Sequence, residues 1–406
     1  MSTSLLYHTQ GIAGFQHQSF IYEGVSVVER ISRKTPLTCP ECSSYNVSLT
    51  PIRTRRIQCN NCGQKLFYIE AAVHQIYCRN CKGISVEHLP FLSHPKARIS
   101  LALERTIVEL RSDMSISAIS KHFGVDWRTV KDCEKHYLEK KFRVIKLKNI
   151  RIIGVDEIYV TRVKGKEKYI TVVRDIETGA VLYVGKGKGV ESLEDFGKRL
   201  RHSRCKIKAI AMDMSKSYTA WARENIPDAE IVFDHFHIIK LMNEKVDTVR
   251  RKTCVALDEE QRKLLKNQRF LFLRNVEDLG PDAEMLLKNL RNMFKDLGDV
   301  SMFKEALRTI YRKADTDFQA EAAFKNWCTL ARATEVKELE DMAKTIENNL
   351  TGITAYWRMD GLTNSSMEGF NNKIRWLIRQ AYGFRDDEYF TLKIYNLPNT
   401  KTEAEL

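Results

Sequence analysis

The sequence predicts a multidomain α+β protein: a cysteine-rich β segment, a helix-turn-helix, and a mixed α/β domain interrupted by an all-helical insertion. Three observations carry this. Six of the ten cysteines fall in three Cys-x-x-Cys pairs. Residues 114–139 show apolar positions at helical spacing on either side of Gly124. Residues 150–184 read as three strands, whereas Ile238 to Asn349 is charged, helical and nearly free of strand pattern. The resulting segments are 1–95 (β and cysteine-rich), 96–148 (helix-turn-helix with a basic linker), 149–240 and 351–406 (two parts of the α/β domain) and 241–350 (the helical insertion).

Composition narrows the function classes. Hydrophobic residues make up 43% of the 406 residues, enough to build packed cores. No apolar run approaches the roughly 18 residues that span a bilayer, and Met1 to Gln10 lacks a basic stretch followed by an apolar one. A soluble, cytoplasmic protein associated with the nucleoid is expected. The net charge of +14 is unevenly spread. Residues 1–150 hold 22 basic and 12 acidic side chains, the remainder 44 and 40. A positive first third points to a polyanionic partner, although a solvated face accounts for charge alone equally well.

Within the first segment, Met1 to about Arg33 reads as β: Phe20 to Tyr22, a Glu23-Gly24 turn, then Val25 to Val28. The cysteine pairs that follow are Cys39/Cys42, Cys59/Cys62 and Cys78/Cys81, separated by sixteen and fifteen residues. In a chain without a secretion signal, such clustering favours zinc thiolates over disulfides. Four cysteines suffice for a closed tetrahedral site, so the ion is structural and the spare pair leaves the ligand set open. Such a site would add roughly 10–16 kcal/mol of folding energy to a segment with little core. His74, His88 and His94 could complete a second site, against the simpler reading of surface histidines. The scattered Cys133, Cys205, Cys254 and Cys328 read as small buried hydrophobes.

Ile116, Ile119 and Phe123 line one helical face, Gly124 supplies a turn, and Asp126 can cap the next helix. That helix opens with Trp127, Arg128 and Thr129, followed by Lys131, at the positions where a recognition helix meets base edges. Lys140, Lys141, Arg143, Lys146 and Lys148 would hold phosphates. An ordinary helical hairpin with solvated charges is the competing reading.

Strands are expected over 150–163, 168–176 and 180–185, with turns at Lys164-Gly165-Lys166 and Glu177-Thr178-Gly179. A helix at 192–200, a strand at 207–212 and a further strand at 231–237 follow, then helices broken at Pro281 and Gly298, and a last helix over 365–380 that stops near Gly383. Two acidic residues sit where strands disfavour them: Asp156 within IIGVDEIYV and Asp213 at the end of IKAIAM. A buried unpaired carboxylate costs several kcal/mol, which a divalent cation offsets; a helix cap is the plain alternative for Asp213. Asp156 and Glu157 alternate faces, so only one of them reaches a shared site. Glu368 either closes a capping box with Ser365 or joins Asn371, Asn372, Arg375 and Arg379 in a polar surface facing a phosphate backbone.

The ordered set GVDEIYV, AMDMSKSY, FDHFHIIK and TNSSMEGFNNKIRWLIRQAYGF resembles the DDE transposases of bacterial insertion sequences, specifically the ISL-three family, over nearly the whole chain. Thr363, Asn364, Glu368, Gly369, Asn371, Ile374, Arg379, Gly383 and Phe384 fall where the family pattern has them. The resemblance implies a zinc ribbon, a helix-turn-helix and a ribonuclease-H-like catalytic core whose helical insertion lies between the second and third acidic residues. Asp156, Asp213 and Glu368 match the catalytic, ion-holding positions; 57 residues separate the first two and 155 the last two. Asp234, His235 and His237 match a motif placed beside that site. The family ribbon aligns with Cys39, Cys42, Cys78 and Cys81, so Cys59/Cys62 is a departure that leaves the zinc ligands open.

The implied chemistry is DNA strand cleavage by water followed by strand transfer, with two Mg²⁺ (or Mn²⁺) ions. Double-stranded DNA, as terminal inverted repeats and as target, is the implied partner, and two ends held together imply a homodimer. A non-catalytic zinc-containing DNA-binding regulator and a nuclease on the same core are the rival readings.

Overall fold

Of the two units into which the chain divides, Met1–Arg143 and Val144–Leu406, the first is built on a five-stranded sheet that contains two long strands. The structure is a computed structural model and describes residues 5–163 and 166–398; the expected turn at Lys164-Gly165 lies outside them. Helix α1 (Leu5–Gln10) precedes β1 (Phe15–Glu23), β2 (Ser26–Arg33), β3 (Val47–Cys62), β4 (Lys65–Cys78) and β5 (Ile84–Val86). β1 and β2 form the expected hairpin, with Gly24 at φ 56° between them. α1 was not expected. Its Leu6 packs into a core with Ile31, Ile57, Ile69 and Val73, so tertiary burial holds a helix too short to persist alone.

Three helices follow: α2 (Leu101–Leu110), α3 (Ile116–Phe123) and α4 (Trp127–Lys141). Ser100, Ser115 and Asp126 cap them by accepting from backbone N–H groups. Gly124 takes φ 63° at the end of α3, a left-handed conformation that glycine adopts without Cβ strain. Ile107, Ile119, Phe123 and Val130 bury the faces between the helices. An Arg111–Glu134 ion pair of 2.7 Å joins α2 to α4. This is the expected helix-turn-helix.

The second unit opens with β6 (Ile152–Val163), β7 (Lys166–Asp175) and β8 (Val181–Lys186), an antiparallel meander. Then come α5 (Glu194–Ser203), β9 (Ala209–Met212), α6 (Lys216–Asn225), β10 (Glu230–Phe233) and α7 (His235–Ala256). β9 pairs in parallel with β6 and β10 in parallel with β9, giving the order β10-β9-β6-β7-β8. Every residue of β9 is buried, as befits a parallel strand covered on both faces.

Helices α8 (Glu259–Leu265), α9 (Arg269–Leu273), α10 (Pro281–Met293), α11 (Lys295–Lys313), α12 (Asp317–Ala333) and α13 (Lys337–Asn348) make the strand-free insertion. The chain returns through α14 (Leu350–Arg358), α15 (Ser365–Gln380) and α16 (Asp387–Tyr395). One face of the sheet shares its core with α5, α6, α7 and the insertion. Ile158, Ile170 and Val172 on the other face pack against Met367, Phe370 and Ile374 of α15.

Four local expectations need correction. The strand expected over 231–237 stops at Phe233; Asp234 accepts from the Phe236 amide and starts α7, so His235 and His237 are helical. Gly298 does not break a helix but lies buried within α11, where a Cβ would stand 2.3 Å from the Arg291 carbonyl oxygen. It marks a close helix approach, and the break falls at Phe294. Ser365 is not a capping residue: Asn364 occupies the cap position, and the Ser365 hydroxyl instead meets Thr363 at 2.8 Å. Of the scattered cysteines, Cys328 is buried, while Cys133, Cys205 and Cys254 are partly exposed.

Candidate catalytic and metal sites

Strand register brings the first two acidic residues together. β6 and β9 pair Gly154 with Ala211, and continuing that parallel register by two residues sets Asp213 beside Asp156. β9 and β10 pair Met212 with Phe233, so one further residue sets Asp234 beside Asp213. Asp213 and Asp234 thus stand at the carboxyl ends of β9 and β10, the usual position of ligand sites in such sheets, with Asp156 at the same level part-way along β6.

Asp156 accepts from the Glu157 amide at 2.8 Å through one oxygen and from Asn371 Nδ2 at 2.5 Å through the other. Burial, then the neighbouring charge of Asp213, raises its pKa to about 6. A buried carboxylate whose ionisation is made costly by burial and by a second carboxylate beside it is a donor that a divalent cation fits.

His237, one turn into α7, brings Nδ1 to 2.8 Å from Asp213 and 3.6 Å from Asp234. Burial opposes its charge, but the two carboxylates outweigh it and lift its pKa to about 10. The charged imidazolium is thereby favoured beside Asp213. His235 turns the other way, with its ring 5.3 Å from Tyr311 and 5.7 Å from Tyr356. Burial holds its pKa below the usual value.

Helix α15 is seated on β6 by glycine. A Cβ on Gly154 would meet Ile176 at 2.5 Å, Asn364 Oδ1 at 2.9 Å and Met367 at 3.0 Å. Asn364 Nδ2 donates to the Val155 carbonyl at 3.3 Å, and Arg174 donates to the Ser366 carbonyl at 2.8 Å while lying over the Phe370 ring. The buried Asn371 is thereby aimed at Asp156. Glu368 is exposed one turn earlier on the same helix, and Asn372, also exposed, accepts from Arg375 at 2.7 Å. Among the described residues, no group of three acidic or histidine side chains has its ligand atoms all within 4.8 Å of one another. The ligand atoms of Asp156, Asp213 and Glu368 therefore do not all come that close here.

Sequence reasoning did not assign a role to Asn364, Gly154 or Glu157. Glu157 projects to the opposite face of β6 and receives a 3.4 Å contact from the Tyr218 hydroxyl. Burial and then Asp213 raise its pKa. An acidic dipeptide inside an apolar strand was the available signal.

In the first unit, Cys39, Cys42, Cys78 and Cys81 place their sulfurs within 4.8 Å of one another, with Cys39–Cys81 at 3.6 Å and Cys42–Cys78 at 3.5 Å. A tetrahedron with ~2.3 Å Zn–S bonds has edges of about 3.8 Å, so the set fits zinc. Backbone amides, Cys81's foremost, pull the Cys78 thiol down to about 6, towards the thiolate a metal requires. Cys59 and Cys62 lie at the other end of the β3–β4 hairpin, where Cys59 faces Phe67 and is fully buried. His74 is taken by Glu87 at 2.6 Å.

At the start of α4, Trp127 and Arg128 are exposed, with the guanidinium 5.1 Å over the indole ring, and Thr129 is half-buried. Lys140 and Arg143 are exposed at its far end; Lys131 and Lys141 are half-buried.

Residues 153–394 match the ISL3 model of the DDE transposases, described as Transposase. Residues 87–138 match the helix-turn-helix domain of transposase family ISL3. The chain is 29% identical over 366 residues to the transposase for insertion sequence element IS1001 of Bordetella parapertussis, covering 88% of each. It is 25% identical to the transposase for IS1557 of Mycobacterium tuberculosis, covering 79% of this chain and 76% of the relative. A solved chain of the Drosophila P element transposase strand transfer complex aligns at TM-score 0.41 and 10% identity, over 75% of this chain and 92% of that one.

Two outcomes are expected. The protein carries one zinc per chain by elemental analysis; Cys78→Ser abolishes it and Cys62→Ser leaves it in place. Asp156 has a folded pKa of about 6 against an ordinary 3.8, so its stabilising contribution is complete below 3.8 and is lost as pH rises through 6. In magnesium- and manganese-free buffer at pH 7, Asp156→Asn therefore stabilises the protein by up to about 3 kcal/mol, two pKa units' worth, and gives no gain below pH 4. Urea unfolding at the two pH values measures this.

Proposed function

Since the chain belongs to the ISL3 transposase family, we propose that it cuts and joins DNA with divalent ions held by Asp156, Asp213 and Glu368 on a ribonuclease-H-like core. The single observation that carries the reading is the register that sets Asp156 beside Asp213 where β9 ends, with burial and the Asp213 charge both raising the cost of ionising Asp156. The core assignment is supported by strand order: an antiparallel meander β6-β7-β8, with β9 and β10 added in parallel beyond β6.

Two Mg²⁺ or Mn²⁺ ions, when bound, supply stabilisation of the attacking and leaving oxygens of an in-line displacement. Asp156 is oriented for this by Asn371, and Asp213 by His237. Glu368 completes the set by closing onto the pair when DNA is present; support comes from its helix α15, which packs on β6 through Met367, Phe370 and Ile374. Asn372 and Arg375 flank it as phosphate contacts. In the first displacement a water oxygen attacks the phosphodiester at the element's end, and the departing oxygen becomes a free 3′-hydroxyl. In the second, that hydroxyl attacks a target phosphodiester, whose own 3′-oxygen departs as a free hydroxyl, and the strands are joined.

The helix-turn-helix and the zinc-held ribbon bind the terminal inverted repeats, with Trp127, Arg128, Thr129 and Lys131 at base edges and Lys140, Lys141 and Arg143 on phosphates. Two ends joined in one event call for a homodimer on DNA.

Asp156→Asn, Asp213→Asn and Glu368→Gln should each reduce cleavage and strand transfer of labelled ends in Mg²⁺ at least a thousandfold, while end binding changes less than about threefold, because the lost groups act on ions rather than on the duplex. Normal cleavage by one of these variants would remove that residue from the site. Cleavage without joining by the unaltered protein would reassign it as a nuclease.

A further inference from the structure

On the first unit, β3 carries Arg53, Arg55 and Arg56 beside the loop that leads into α2. Strand and loop are tied together. The Arg55 guanidinium donates to the Pro95 carbonyl at 2.5 Å and to the Ala97 carbonyl. Gln58 N–H donates to the Arg98 carbonyl at 3.0 Å, and Ser100 N–H to the Gln58 carbonyl at 2.8 Å. The Gln58 side-chain amide donates to the Phe123 carbonyl at the end of α3, which fixes the strand to the helix-turn-helix.

These bonds enclose a hollow of about 690 Å³, running from Arg53 and Tyr68 past Lys96 and Arg98 to Asp126 and Thr129 at the start of α4. Its charges are not balanced from within. Arg56 is engaged by Glu23 and Glu70, and Arg55 by the two loop carbonyls. The Asp126 carboxylate accepts from the Arg128 amide and lies 3.7 Å from the Arg128 guanidinium. Arg53, Lys96 and Arg98 are exposed, and none of them makes an ion pair among the described residues. Burial, and after it the charge of Arg53, holds the Arg55 guanidinium below its usual value. Like charges are held close in one concavity by a bonded frame, which is what an anionic ligand offsets.

The position of the hollow names the ligand. It ends at Thr129, within the first turn of the helix whose start meets base edges. A duplex that admits this start to its major groove presents a sugar-phosphate backbone to whatever flanks the helix. We propose that this hollow seats a phosphodiester backbone of the duplex that α4 reads, with Arg53, Lys96 and Arg98 each neutralising phosphate oxygens. The arginine forks suit two oxygens of one phosphate each. The proposal rests on the DNA-binding reading above, but only for which duplex is preferred. A backbone is uniform, so the hollow acts on every duplex.

The test is the salt dependence of binding by the full-length, zinc-loaded protein to an unrelated duplex and to the element's own end. Arg53→Ala/Arg98→Ala should lower the slope of log K against log salt by about 1.8, two phosphates at ~0.9 each, and equally for both duplexes. Arg53→Lys/Arg98→Lys should restore the slope. An unchanged slope in the alanine variant overturns the proposal, and so does an equal loss in the lysine variant, which would indicate a role of shape rather than charge. If the unaltered protein shows no preference for the element's end, end recognition fails, while the slope on unrelated duplex still decides for or against the hollow.

Discussion

The constraint on which the second unit depends is the register of three parallel strands. Offsets fixed by backbone hydrogen bonds pair Gly154 with Ala211 and Met212 with Phe233. Because each strand ends or turns polar at the same level, Asp156, Asp213 and Asp234 form one row. A one-residue slip would send Asp156 to the opposite face and bury it in apolar packing. Such a slip is opposed by Ile153, Val155 and Ile210, all fully buried. The core that specifies the sheet therefore also specifies the acidic row.

Each member of the row is then given a different task by what packs on it. Asp234 is consumed as the cap of α7, and that capping aims His237 at Asp213. Asp156 takes its partner from the other face of the sheet, where Gly154 permits α15 to lie close and Asn371 to reach across. The result is a carboxylate pair held at the mouth of the sheet, one member half-neutralised by an imidazolium and the other costly to ionise. In the proposed function that cost is offset by divalent cations, which accounts for a site that is electrostatically unfavourable by itself.

Much of this was legible in the residues. The 57-residue spacing between Asp156 and Asp213 is the register offset of β6 and β9, although it acquires that meaning only once the strands are paired. The helix-turn-helix was readable because its signals are local: Ile116, Ile119, Phe123, Gly124 and the Asp126 cap all fall within eleven residues. The strand-free insertion was readable for the same reason. Other features are not local. FDHFHIIK carries enough apolar residues for a strand, and only the cap formed by Asp234 makes it a helix. Gly298 resembles a breaker, and only the approach of Arg291 makes it a contact. Cys59/Cys62 has the same spacing as the other pairs, and the hairpin's length alone separates it from the sulfur cluster. Glu157 was set aside by strand alternation, yet Asp213 at the strand end influences both faces.

The account turns on whether Glu368, exposed on α15, joins Asp156 and Asp213 around divalent ions. The most direct measurement is a crystal structure of the full chain with an element-end duplex and Mn²⁺, locating the metal by anomalous scattering. The account predicts manganese within about 2.2 Å of carboxylate oxygens from all three residues, the distance of a hard-oxygen ligand. Manganese bound elsewhere, or Glu368 left in solvent with the DNA end in place, would contradict it.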